Sequence, residues 1–175
     1  MAVVINGSAG VTTNSGAVYN GISAGTAVAS TSGTSIDFTS IPSWVKRITV
    51  ELAGVSLSGS ANLLLQLGAG SVTSSGYIST GGSTANGGTP AIGTSTSGFY
   101  QRVANAAYVL HGAIIFTLVS SNQWVASGNY VTSGTATICT SGGSLTLAGT
   151  LDRVRITTDN GTDTFDAGSI NILYE

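Results

Sequence analysis

Charge is what this chain has least of. Five basic residues, seven acidic ones and one histidine stand among 175 residues, so charged residues make up 7% of the chain. An ordinary globular domain carries about 25%. The few cations, Lys46, Arg47, Arg102, Arg153 and Arg155, and a pI of about 5.1 argue against nucleic acid as a partner, because a phosphate backbone is held by clustered cations. Cysteine is nearly absent as well. A lone Cys139 forms no bridge within the chain, which excludes a disulfide-stapled secreted module, and in its Thr137 to Thr140 setting it reads as a small buried hydrophobe. No apolar run approaches the roughly 20 residues that span a bilayer, so membrane insertion is not expected. The first residues, Met1 to Gly7, lack the basic start and long apolar stretch of a signal peptide, which points to synthesis in the cytoplasm of the producing cell.

In place of charge the chain has 25 glycines, long Ser/Thr runs and 42% hydrophobic residues. A mean hydropathy of +0.36 with a net charge of -2 is unlike a disordered chain, which combines low hydrophobicity with high charge. A near-neutral, hydroxyl-rich surface costs little to desolvate and favours association.

Residues 1–34 read as an extended arm with turn signals at Ile5-Asn6-Gly7 and Asn14-Ser15-Gly16 and no core of its own. Val3, Val4 and Ile5 form a short β-prone piece able to add to another sheet, and they are the candidate attachment residues. From residue 35 to 175 the pattern becomes short alternating runs broken by Gly, Ser and Asn. In residues 47–53, Ile48, Val50 and Leu52 share one face while Arg47, Thr49 and Glu51 share the other, where Arg47 and Glu51 are expected to enter cross-strand ion pairing. Leu63, Leu65 and Leu67 repeat the period, with a turn at residues 59–61 between the two strands. Residues 108–119 are apolar on both faces and rich in β-branched side chains, so they are expected to form a central strand buried on both sides, with His111 hydrogen-bonded or at an interface. Further runs at 124–131, 135–140, 144–147, 153–157 and 169–174 bring the expectation to eight to ten strands. The fold class is all-β, an antiparallel, jelly-roll-like β-sandwich behind an N-terminal arm.

Little in this pattern points to catalysis. No Gly-x-Ser-x-Gly elbow has a His and Asp to serve it, and the acids do not suggest two carboxylates facing across a cleft. No catalytic residue and no cofactor is therefore expected. Asp159-Asn160-Gly161-Thr162-Asp163 resembles part of a calcium loop, making Asp159 and Asp163 weak metal candidates; Ile170 stands where a twelfth-position glutamate belongs, and a turn held by Asp and Asn is the simpler reading. The Gly/Ser/Thr-rich residues 80–97 read as a long contact loop, and its flanking Tyr77, Tyr100 and Arg102 are the candidate receptor-binding residues.

Residues 36–50, IDFTSIPSWVKRITV, residues 144–158, SLTLAGTLDRVRITT, and the following NGTDTFDAGSIN, together with VVINGSAGV at 3–11, resemble tail-fibre and related appendage proteins of tailed bacteriophages. The resemblance implies a virion protein made in the host cytoplasm, a homotrimer whose arm joins other virion structural proteins and whose outer end meets a host-surface glycan or protein. The chain lacks the long repetitive shaft of such fibres. A capsid-decorating protein, either head fibre or cement, is the alternative within that class. A free lectin-like module or a depolymerising enzyme are the alternatives outside it.

Overall fold

A computed structural model of the chain describes strands at residues 4–6, 10–12 and 18–19 and all of residues 21–175 except 104 and 135. Every element among the described residues is a strand. Three short ones, β1 (Val4–Asn6), β2 (Gly10–Thr12) and β3 (Val18–Tyr19), pair antiparallel as a small sheet. Then follow β4 (Ser23–Ala24), β5 (Val28–Ala29), β6 (Ser35–Thr39), β7 (Arg47–Leu57), β8 (Leu63–Ala69), β9 (Ser71–Val72), β10 (Ile78–Ala85), β11 (Ala91–Ser95) and β12 (Phe99–Gln101). The chain closes with β13 (Val109–Ser120), β14 (Gln123–Ser133), β15 (Thr137–Thr146), β16 (Arg153–Thr158) and β17 (Phe165–Tyr174).

The later strands form an antiparallel sandwich of unequal sheets. The large sheet runs β11-β10-β15-β14-β13-β7-β17-β4, with β5 also on β17, and the small one runs β12-β8-β16-β6, with β9 on β8. Strict alternation decides which side chains go inward, because successive residues of a strand point to opposite faces. On β7, Ile48 and Val50 are fully buried while Arg47 and Glu51 face out. Leu63, Leu65 and Leu67 meet them from β8, with Val154 and Ile156 of β16, all without solvent exposure. The turn after β7 carries the chain from the large sheet to the small one, so β7 and β8 face each other across the core. Leu64 and Gln66, on the outward side of β8, are buried too, since Ser97 and Gly98 lie over them and the Gln66 amide donates to the Ser97 carbonyl at 2.8 Å.

Residues 80–97 are not an open loop: most of them form the hairpin β10–β11 at the end of the large sheet, paired from Ser79↔Ser95 to Ser83↔Ala91. Their small residues fit the packing, since a Cβ on Gly93 would sit 2.4 Å from the Tyr100 ring and one on Gly81 2.6 Å from the Tyr100 carbonyl oxygen. The central strand β13 is buried on one face only. Leu110, Ile114 and Phe116 are fully buried, whereas His111, Thr117 and Val119 are exposed and Ile115 is half-buried.

Residues 23–30 of the expected arm lie along the last strand of the sandwich. The Gly25 amide donates to the Ile172 carbonyl at 2.8 Å, the Ser30 amide to the Gly168 carbonyl at 2.9 Å, and the fully buried Ser30 hydroxyl to the Ala167 carbonyl. Near this point Gly54 and Gly168 both adopt positive φ where the β7–β17 register shifts, and a Cβ on Gly168 would overlap the Gly54 carbonyl. Of the expected attachment residues, Val4 and Ile5 lie in β1, and Val3 falls outside the described residues.

Candidate interaction face

The expected receptor-binding aromatics point inward. Tyr77 is 2% exposed, packs edge-on against Phe99 with ring centroids 5.0 Å apart, and its hydroxyl accepts from the Leu67 amide at 2.8 Å and donates to the Thr73 carbonyl at 2.9 Å. Burial pushes its phenol well above the ordinary tyrosine range. Tyr100 is 7% exposed, with its ring over Gly93 and its amide donating to the Ser79 hydroxyl at 2.8 Å. These rings do not form a surface platform: Tyr77 is held inside against Phe99, and Gly93 leaves room for the Tyr100 ring to lie against the sheet. Arg102 is half-buried, its Nε donating to the Ser83 hydroxyl at 3.1 Å and its carbonyl accepting from the Tyr130 hydroxyl at 3.0 Å, so it fastens the connection after β12 to the β10–β11 hairpin.

The calcium candidates are engaged in holding two loops together. Asp159 accepts from the Asn62 amide at 3.0 Å and from its side chain at 2.8 Å, and Asp163 accepts from the Ala61 amide at 2.9 Å. Asn160 accepts from the Thr162 and Asp163 amides, closing the turn on itself. Among the described residues no three His, Cys, Asp or Glu side chains cluster to hold a metal ion. Cys139 is 1% exposed, and burial raises its thiol pKa. Tyr130, on the neighbouring strand, has its phenol pushed up chiefly by the same burial. Glu51 does not pair with Arg47: Arg47 bonds Glu175 at 3.0 Å, while Glu51 stands between Ala113 and Asn171 in the register.

What the sequence reading missed is a surface. On β11, β10, β15, β14 and β13 the outward residues carry no Asp, Glu, Lys or Arg. One lateral row runs Ile92–Gly82–Thr140–Asn129–Ala113, and the next runs Thr84–Ile138–Val131–His111. Six aliphatic side chains stand out from this face: Ile78 is 74% exposed, Ile92 73%, Ile138 66%, Val119 58%, Val131 48% and Val125 38%. Between them the surface is low, because Gly82 and Gly142 contribute no side chain. Two shallow depressions result, one of about 630 Å³ beside Thr84, Val131 and Ile138, the other of about 410 Å³ between Ile92, Ile138 and Thr140. Thr137, 5% exposed, borders the larger one, and its hydroxyl has no hydrogen-bond partner. A signal for this face exists in the sequence, since residues 123–133 alternate buried and exposed without a break and their outward members are all uncharged.

The outward side of the small sheet is different in kind. Arg155 makes a two-pronged bond to Asp37 at 2.7 and 2.8 Å, and Arg153 makes one to Asp152 at 2.8 and 3.1 Å. The Arg153 guanidinium holds the Asp152 carboxyl below the usual carboxylate range, and Asp37 raises the pKa of Arg155.

No protein-family model and no curated protein matches this chain.

Proposed function

We propose that the chain is a structural virion protein of the tail-fibre or appendage kind, a homotrimer that carries its attachment surface to the host cell and performs no catalysis. The observation that carries this reading is the uncharged outward face of five adjacent strands, a surface suited to lie between subunits rather than in water. It agrees with the sequence resemblance to phage appendages. In this reading the N-terminal residues around Val4 and Ile5 join the particle. Host contact falls to the exposed tip of the β10–β11 hairpin, residues 86–90, with Arg102 bracing its base through Ser83. The buried Tyr77 and Tyr100 stiffen that hairpin and do not touch the receptor.

The test is localisation and competition. Antibody against the chain should label an appendage on purified particles in the electron microscope, and purified protein added in excess should block adsorption of those particles to host cells. Label on the capsid surface alone would favour the decorating-protein reading. Absence from particles would reject a virion role.

A further inference from the structure

We propose that the uncharged outward face of β10, β11, β13, β14 and β15 is where one copy of this chain packs against other copies. The inference rests on the homo-oligomer in the reading above and identifies the surface that builds it.

Size is the first argument. Five strands about 4.8 Å apart, each showing about eight residues at about 3.3 Å rise, give a footprint of roughly 600–650 Å². The corrugated accessible surface over that footprint is larger, and a stable interface takes about 800 Å² from each partner. Covering the whole of this face approaches that requirement; covering one depression falls far short of it.

Charge is the second. A partner rich in cations or anions would find no counter-charge across these five strands, since their outward residues include no acid and no basic residue other than His111. A second copy needs none. When three copies turn this face toward a shared axis, every charge near that axis lies beside its own kind, and a face that lacks charges avoids that repulsion while its aliphatic side chains leave water. Relief is the third argument: protruding Ile92 and Ile138 border low ground floored by Gly82, so the face offers both projections and hollows to a surface like itself. A sugar would be better served by an exposed ring, but the exposed Trp44 packs with Tyr174 of β17, outside these five strands.

The test is the solution mass of the full chain at micromolar concentration, for the natural sequence and for Val131→Lys and Ile138→Lys. Both positions point to solvent in the single chain, so lysine is compatible with the strand. Expected are a natural chain at three times 17.3 kDa and variants whose association is weakened at least tenfold, with unchanged far-ultraviolet circular dichroism. Thr39→Lys, on the outward side of β6, should assemble like the natural chain. If a lysine variant loses its β spectrum, the double change Val131→Thr with Ile138→Thr, which keeps strand propensity, is measured in its place with the same expected loss of association. A natural chain that stays monomeric overturns the inference, as do variants that assemble unchanged. A mass of two copies that the substitutions dissociate keeps the face and rejects the trimer. A trimer that the substitutions dissociate, formed by a protein that does not block host adsorption, keeps the inference and rejects only the attachment reading.

Discussion

On β16, Arg155 stands directly across from Asp37 of β6 and holds it with two hydrogen bonds; on β15, Thr140 stands between Gly82 and Asn129 with no charge on any neighbouring strand through β13. Both positions belong to the outward side of the same sandwich, over one shared core. The small sheet's outer side is dressed for water. The large sheet's outer side is kept soluble by hydroxyls and amides set among exposed aliphatic side chains. The difference teaches that burial in the folded monomer does not account for where this chain spends its few charges: they are placed on one side and on the β7–β17 end, and withheld from five adjacent strands.

The strongest contrast between inside and outside lies in two neighbouring glycines of β15. A Cβ on Gly143 would sit 2.2 Å from the Ile78 carbonyl oxygen and 3.0 Å from the Ser79 Cα, whereas one on Gly142 would meet only the Ala126 carbonyl oxygen at 3.6 Å. Gly143→Ala should therefore destabilise the fold by about 3 kcal/mol in denaturant titration, the upper end for overpacking, while Gly142→Ala stays within about 0.5 kcal/mol. Equal costs at both sites would erase the distinction between the faces.

Tyr77→Phe comes next. It leaves the buried Leu67 amide without its phenol acceptor, so about 1–3 kcal/mol of stability should be lost, with oligomer mass unchanged. A loss of host adsorption without a loss of stability would return Tyr77 to the recognition surface.

The interior also sets the response to alkali. Tyr77, Tyr130 and Cys139 have folded-state pKa values raised by burial, so the native chain holds protons that the unfolded chain releases. Their contribution is complete below the ordinary thiol and phenol values, about 9 to 10, and declines as pH rises through them. Melting temperature should fall steadily between pH 9 and pH 11. A flat profile would mean that these groups are open to water.

The smallest effect is expected on the charged side. Asp37 and Arg155 are each more than a third exposed, so Asp37→Asn should cost less than about 1 kcal/mol and leave assembly intact. Dissociation on this change would place the interface on the small sheet instead.

Much of the fold was legible locally. Alternation in residues 47–53 and 124–131 marks strands because each has one wet and one dry face. The β13 strand defeated that logic, since Ile115 and Val119 are apolar residues on an outward face and apolarity there does not mean core. The β10–β11 hairpin reads as a loop because its inward positions are Ser, Ala and Gly, with Gly81 and Gly93 admitting Tyr100, which leaves no apolar alternation to see. Arg47 finds its partner in Glu175, 128 residues away, a pairing that strand order creates and local spacing does not contain.

The central claim, that the uncharged face is buried between copies, is tested most directly by hydroxyl-radical footprinting of the assembled natural chain. Ile22 and Ile138 are the same residue type, each 66% exposed in the single chain, and lie on different parts of the large sheet's surroundings. In the assembly Ile138 should be labelled several-fold more slowly than Ile22, with Ile92 protected alongside it. Equal labelling of Ile22 and Ile138 in a sample whose mass shows it to be assembled would contradict the account.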